Sequence, residues 1–102
     1  MALKGYDNEE LAVIVILKFH LDNTVEIERI VWRDAAKALS DKEFSFIIGN
    51  GILNFIDRRG IPLVYSKDME NEAILKMLKF EYNAESDRFT LDLTGYFKSD
   101  CM

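Results

Sequence analysis

Apolar residues fall into a few stretches separated by short polar segments. Residues 11–17 are apolar at every position, and Asp7 with Glu10 gives the spacing of a capping box just before them. We therefore predict a first helix over residues 8–21. A central buried strand is the alternative, because the run is rich in β-branched residues and apolar side chains occupy every face of it. In both interpretations this element should be the most enclosed part of the protein.

A second helix is predicted from Asn23 to about Leu39. Asn23 and Glu26 repeat the capping-box spacing. Apolar side chains then recur at helical intervals, at Ile27, Ile30, Val31, Ala35 and Ala38.

Residues 41–59 carry conflicting signals. Gly49-Asn50-Gly51 between two apolar runs is typical of a hairpin turn. Ser40 with Glu43 instead resembles a helix start, and Gly60 followed by Pro62 resembles a helix end. We predict a helix and keep the hairpin as the alternative. In a helix the two glycines would permit a close contact or a kink.

After residue 60 the spacing of apolar residues changes along the chain. We predict a short strand over residues 61–65, a helix over residues 68–78 and an antiparallel hairpin from Phe80 to Leu93, with Tyr96 and Phe97 packed onto the core. The predicted fold is α+β in one globular domain, residues 1–102. About three N-terminal helices precede a short strand, a short helix and a C-terminal hairpin.

Composition and net charge restrict the range of possible functions. The chain has 102 residues, 49% of them apolar, and a net charge of −5, as expected of one folded acidic domain. This acidity disfavours nucleic acid and anionic membranes as partners and is compatible with a basic protein. The longest apolar run is seven residues, against about 20 for a membrane-spanning helix.

Residues suited to catalysis or metal binding are few. His20 and Cys101 are the only histidine and cysteine, so a nucleophile with a base would require the chain end to fold back. The spacing of His20, Asp22 and Glu26 matches no familiar metal site, and Gly49-Asn50-Gly51 lacks the context of a phosphate loop. We predict no catalytic residue, no metal and no cofactor. A single cysteine and a start without a secretory signal indicate the cytoplasm.

The order of predicted elements resembles that of a winged-helix DNA-binding domain. Residues 68–78 would be its recognition helix and the following hairpin its wing. Carboxylates at Asp68, Glu70 and Glu72 are unsuited to DNA. A winged-helix topology turned to protein binding stays possible. A DNA-associated regulator, such as a dimeric winged-helix protein, is the second functional hypothesis, and a small enzyme with an unrecognised carboxylate site is the third.

The same carboxylates suggest an acidic surface for a basic protein, such as a nuclease. A solvated surface is the simpler explanation. The predicted partner-binding residues are Asp68, Glu70, Glu72, Glu81, Glu85 and Asp87. Trp32 and Tyr65 are candidate interface anchors, although core packing also explains them. The main hypothesis is a non-enzymatic inhibitor or immunity-type protein, with self-association left open.

Overall fold

The computed structural model describes residues 1–97, which form a six-stranded mixed sheet and three α-helices. In chain order the strands and helices are β1 (Ala2–Asp7), β2 (Glu10–Phe19), β3 (Thr24–Trp32), α1 (Ala35–Ser40), α2 (Lys42–Arg58), β4 (Leu63–Ser66), α3 (Glu72–Met77), β5 (Glu81–Asn83) and β6 (Arg88–Asp92). A 3₁₀ turn, Met69–Asn71, precedes α3. The strand order is β1-β2-β3-β4-β6-β5, and only β3 and β4 pair in parallel. The helices α1 and α2 lie in the connection between those two strands.

All three helices pack on the same face of the sheet. Buried residues of β2 and β3, such as Val15 and Ile27, share one core with Ala38 of α1, Leu53 of α2 and Leu75 of α3. The alternate side chains of the strands point to the opposite face, which no described helix covers. We call this second surface the bare face.

The helical N-terminal part predicted from the sequence is wrong, because the chain begins with three strands. Residues 8–21 form the β1–β2 turn and β2 rather than a helix. Asn8 and Glu9 have positive φ angles of 51° and 68°, as in the tight turns that join hairpin strands. The spacing of Asp7 and Glu10 therefore reflects a hairpin and not a helix cap. The strand alternative for residues 11–17 is the correct one.

The second predicted helix is also wrong for most of its length. Residues 24–32 form β3, and only Ala35–Ser40 are helical. The pairing register between β2 and β3 shifts by one residue, so that Leu17 faces Ile27 but Ile16 faces Arg29. Because of this bulge, the next core-facing residue after Ile27 is Ile30 and not residue 29. The resulting interval of three residues resembles helical spacing.

The prediction of a helix over residues 41–59 is confirmed. It begins with Asp41, whose side chain accepts a hydrogen bond from the Phe44 amide at 3.0 Å, so Asp41 and not Ser40 is the cap. The helix ends before Gly60, which has a φ of 76°. Gly49 is buried against Leu78, which supports the close contact expected of an interior glycine.

The C-terminal prediction is confirmed in outline. The structure contains strand β4 and the antiparallel β5–β6 hairpin. It also packs Tyr96 and Phe97 against the core. The predicted helix 68–78 is shorter, with a 3₁₀ turn followed by the six residues of α3. Helix α3 packs Ile74 and Leu75 into the core beside a six-stranded sheet, so the winged-helix comparison is wrong. No helix in residues 1–97 is long and apolar enough to cross a membrane.

Candidate functional site

Four connections lie at the end of the sheet where β3 and β4 finish. They are residues 7–10, 33–34, 67–70 and 84–87, which hold eight acidic and two basic side chains. The acids are Asp7, Glu9, Glu10, Asp34, Asp68, Glu70, Glu85 and Asp87. Six strands spaced about 4.8 Å apart spread these connections over roughly 25 Å. We call this surface the acidic end.

Two ion pairs neutralise part of the acidic end. Arg33 Nη1 lies 2.7 Å from Glu10 Oε2, and Lys37 Nζ lies 2.8 Å from Asp7 Oδ2. The hydrogen bond to Asp7 raises the pKa of Lys37 above its ordinary value. Five exposed carboxylates of the acidic end make no ion pair within residues 1–97, namely Glu9, Asp34, Glu70, Glu85 and Asp87. They supply unneutralised negative charge, although Asp34 and Asp87 also accept hydrogen bonds within the chain.

Asp68 has a structural role. Its Oδ2 atom accepts hydrogen bonds from the Ile30 amide at 3.0 Å and from Asn71 Nδ2 at 2.7 Å. Asn71 is buried, and its Oδ1 atom accepts a bond of 2.9 Å from Trp32 Nε1. Asp68 therefore holds the segment after β4 against β3, and Trp32 is fixed in this network instead of serving as a free anchor.

The other predicted carboxylates are exposed but do not form one compact patch. Glu70 and Glu85 belong to the acidic end, whereas Glu72 lies in the first turn of α3 and Glu81 lies in β5. Glu72 Oε1 is 3.4 Å from Lys76 Nζ in an exposed pair one helical turn apart. The structure thus brings Asp68, Glu70, Glu85 and Asp87 to one end of the sheet.

Asp87 is bound to its own hairpin. Its carboxylate accepts a hydrogen bond from the Tyr82 hydroxyl, and this bond raises the pKa of Tyr82. The Asn83 side chain accepts from the amides of Glu85 and Ser86 at 3.0 and 3.3 Å. These contacts shape the turn and hold Glu85 outward.

An apolar groove adjoins the acidic end on the bare face. It has a volume of about 510 Å³, and Leu11, Ile14 and Val31 contribute to its lining. The ion-paired side chains of Glu10 and Arg33 also line it. Val31 is 43% exposed. The sequence alone does not reveal this groove, because a helix over residues 8–21 would enclose Leu11 and Ile14.

His20 and Tyr65 form a second polar cluster on the bare face. Tyr65 Oη lies 2.7 Å from His20 Nε2, and the Arg88 guanidinium carbon lies 3.8 Å from the centre of the Tyr65 ring. Glu26 Oε1 is 3.8 Å from the same histidine nitrogen. Arg88 Nε is buried without a hydrogen-bond partner in the described chain. Because Arg88 and His20 cover Tyr65, which is only 9% exposed, this tyrosine is not a surface anchor.

The metal and nucleophile candidates remain separate from this surface. Within residues 1–97, no three His, Cys, Asp or Glu side chains are grouped as a metal site would require. Asp22 instead accepts a hydrogen bond of 2.6 Å from Thr24, which lowers the pKa of Asp22. Cys101 lies outside the described residues.

Comparison of the chain with protein families, with curated proteins and with solved structures found no match. The functional argument therefore depends on the surfaces described above.

Proposed function

We propose that this chain is a non-enzymatic protein-binding module, an inhibitor or immunity-type protein that masks a basic partner such as a nuclease. The observation that carries the proposal is the meeting of four connections at one end of the sheet, which together hold eight acidic and two basic side chains. Glu9, Glu70 and Glu85 provide exposed charge there, and charge of one sign accelerates encounter with an oppositely charged partner.

The adjoining groove supplies the second part of an interface. Protein interfaces combine an apolar centre with a polar rim. Leu11, Ile14 and Val31 form such a centre beside the acidic end. The proposed partner therefore presents an apolar side chain surrounded by Lys and Arg. Masking is steric and electrostatic, so no residue performs chemistry. The cytoplasm remains the proposed compartment, since one cysteine cannot form an intrachain disulfide.

Capture from the source cell with paired charge variants tests this proposal. The test variant changes Glu9, Glu70 and Glu85 to lysine. The control variant changes Glu28, Asp57 and Glu81 to lysine, which alters the net charge equally but leaves the acidic end intact. Mass spectrometry would identify proteins retained by the wild type and the control but lost by the test variant.

The identified protein is then purified for titration. We expect it to be basic, to bind the test variant about tenfold or more weakly, and to lose affinity for the wild type as salt rises. The proposal would be refuted by equal binding to both charge variants, by an acidic partner, or by an affinity that does not change with salt concentration. A Val31→Asp variant should also weaken binding, because it charges the groove.

A further inference from the structure

Strand β1 is a long exposed edge of the sheet. The Met1 amino group donates to Leu17 O at 2.9 Å, and the Leu17 amide donates to Met1 O at 2.8 Å. Met1 and Leu17 are thus a hydrogen-bonded pair of the antiparallel ladder. Because such pairs alternate along a strand, Leu3 and Gly5 direct their backbone groups toward β2. The N–H and C=O groups of the residues that alternate with them point away from the sheet. These residues are Ala2, Lys4 and Tyr6.

These outward groups form a template for another strand. Within residues 1–97 no strand pairs with the outer side of β1. Proteins usually guard such edges by shortness, proline or charge. The opposite edge, β5, has three residues, whereas β1 has six and carries Lys4 as its only basic residue. A neighbouring strand would gain both backbone bonds and side-chain contacts.

The surroundings of β1 are apolar on both faces. Tyr6 is 59% exposed on the bare face, and Ile47 of α2 is 62% exposed on the helix side. A groove of about 240 Å³ lies between β1 and α2, with Leu3, Ile47 and Gly51 among its lining residues. An added strand would cover these side chains.

We propose that the added strand is β1 of a second copy of this chain, paired antiparallel across a twofold axis. Such an axis places one residue opposite itself. Centring it on Lys4 would set two lysines face to face, which is destabilising. Centring it on Gly5 pairs each Lys4 with Tyr6 of the other copy, so that the outward N–H and C=O groups of both residues are bonded.

This register also suits the side chains. Lys4 and Tyr6 of opposite copies lie on the same face, where an ammonium group can contact an aromatic ring. Gly5 places no side chain at the axis beneath the two α2 helices. Antiparallel pairing sets the acidic end of one copy beside the opposite end of the other, which keeps the two acidic ends apart. Apart from Asp7, the last residue of β1, the acidic end and the 510 Å³ groove do not contribute to the paired edge. This inference therefore goes beyond the proposed function.

Light scattering and amide hydrogen exchange test the dimer in purified chain. The wild type should approach twice the chain mass as its concentration rises over about two decades. The Lys4 and Tyr6 amides should become protected over the same range, whereas the Leu3 and Gly5 amides are protected at every concentration. A wild type that stays monomeric, or unchanged exchange at Lys4 and Tyr6, would overturn the proposal.

Variants at two positions test the register. Lys4→Pro removes an outward donor that has no partner within one copy and should abolish dimerisation, while Lys4→Ala keeps that donor and should retain it. Tyr6→Lys creates two lysine pairs and should give a monomer, whereas Tyr6→Glu faces Lys4 and should remain dimeric. If Lys4→Pro fails to fold, the two Tyr6 variants decide. Equal behaviour of Tyr6→Lys and Tyr6→Glu would reject the Gly5-centred pairing.

Discussion

Two glycines of α2 should respond in opposite directions to the same substitution. Gly49 is buried, and a Cβ atom added there would lie 2.6 Å from Leu78 Cδ1 and 3.1 Å from Leu78 Cγ. Gly51 is exposed, and an added Cβ would meet nothing within 4 Å. Both are interior helical positions, so Gly→Ala at each position changes the intrinsic helix propensity alike.

The expected magnitudes follow from these distances. Alanine is favoured over glycine in a helix interior by about 1 kcal/mol, so Gly51→Ala should stabilise the protein by roughly that amount. At Gly49 the same gain is opposed by overpacking, which typically costs about 1–3 kcal/mol. Leu78 is only 2% exposed, and its Cγ is crowded as well as its methyl groups, so a rotamer change alone does not relieve the contact. We expect Gly49→Ala to be less stable than Gly51→Ala by about 2 kcal/mol.

Chemical denaturation of both variants measures this difference, and thermal unfolding should separate their midpoints by roughly 10 °C in a domain of this size. Repeating Gly49→Ala in a Leu78→Ala background tests the cause. The truncated side chain should remove the overpacking, so that alanine at position 49 becomes neutral or favourable. If Gly49→Ala stabilises the wild type as much as Gly51→Ala does, the proposed contact between α2 and Leu78 is wrong.

Three further predictions concern hydrogen bonds of single carboxylates. Asp68→Ala should destabilise the fold by about 1–3 kcal/mol in urea unfolding, since it leaves the Ile30 amide without its acceptor, while Glu70→Ala should change stability by less than about 0.5 kcal/mol. Asp87→Asn should lower the raised pKa of Tyr82 toward its ordinary value in an NMR titration, because a neutral amide oxygen favours the protonated phenol less than the carboxylate does. In the wild type this bond stabilises the fold below the unfolded pKa of Tyr82 and is lost as pH rises through the folded value. Asp92 accepts from the Thr94 amide at 2.8 Å, which lowers the pKa of Asp92, so its stabilisation is present above the unfolded pKa and lost as pH falls through the folded one. Asp92→Asn should therefore flatten the acid side of a plot of unfolding free energy against pH.

The sequence was sufficient where local signals agreed with tertiary packing. In α2 a polar cap, an apolar stripe and a terminal glycine all favoured a helix, and the structure has one. The β5–β6 hairpin was predictable for the same reason, since alternating residues flank a polar turn. In α2 the segment Gly49-Asn50-Gly51 favoured a hairpin turn instead, but the apolar stripe continued through it at helical spacing.

The prediction for the N-terminal half was wrong because the pairing of its strands β1, β2 and β3 is irregular. Bulges occur in both ladders made by β2, near Gly5 and near Leu17. Each shifts the core-facing positions by one residue and so destroys the period of two by which a half-buried strand is recognised. Ile14 and Ile16 further obscured the pattern, because they are apolar yet face the bare side of the sheet.

The candidate site was only partly predictable for a related reason. Acidic residues after residue 67 were found as a group because they are close in sequence. Asp7, Glu9 and Glu10 were not joined to them, since these residues were placed at the start of a helix rather than in a hairpin turn. Only the sheet topology, with β1 and β2 beside β3, brings the two groups to one end. A count of charged residues cannot show which of them the strand order places side by side. Because residues 8–21 were predicted as a helix and not as strand β2, neither the apolar groove nor the β1 edge could be predicted.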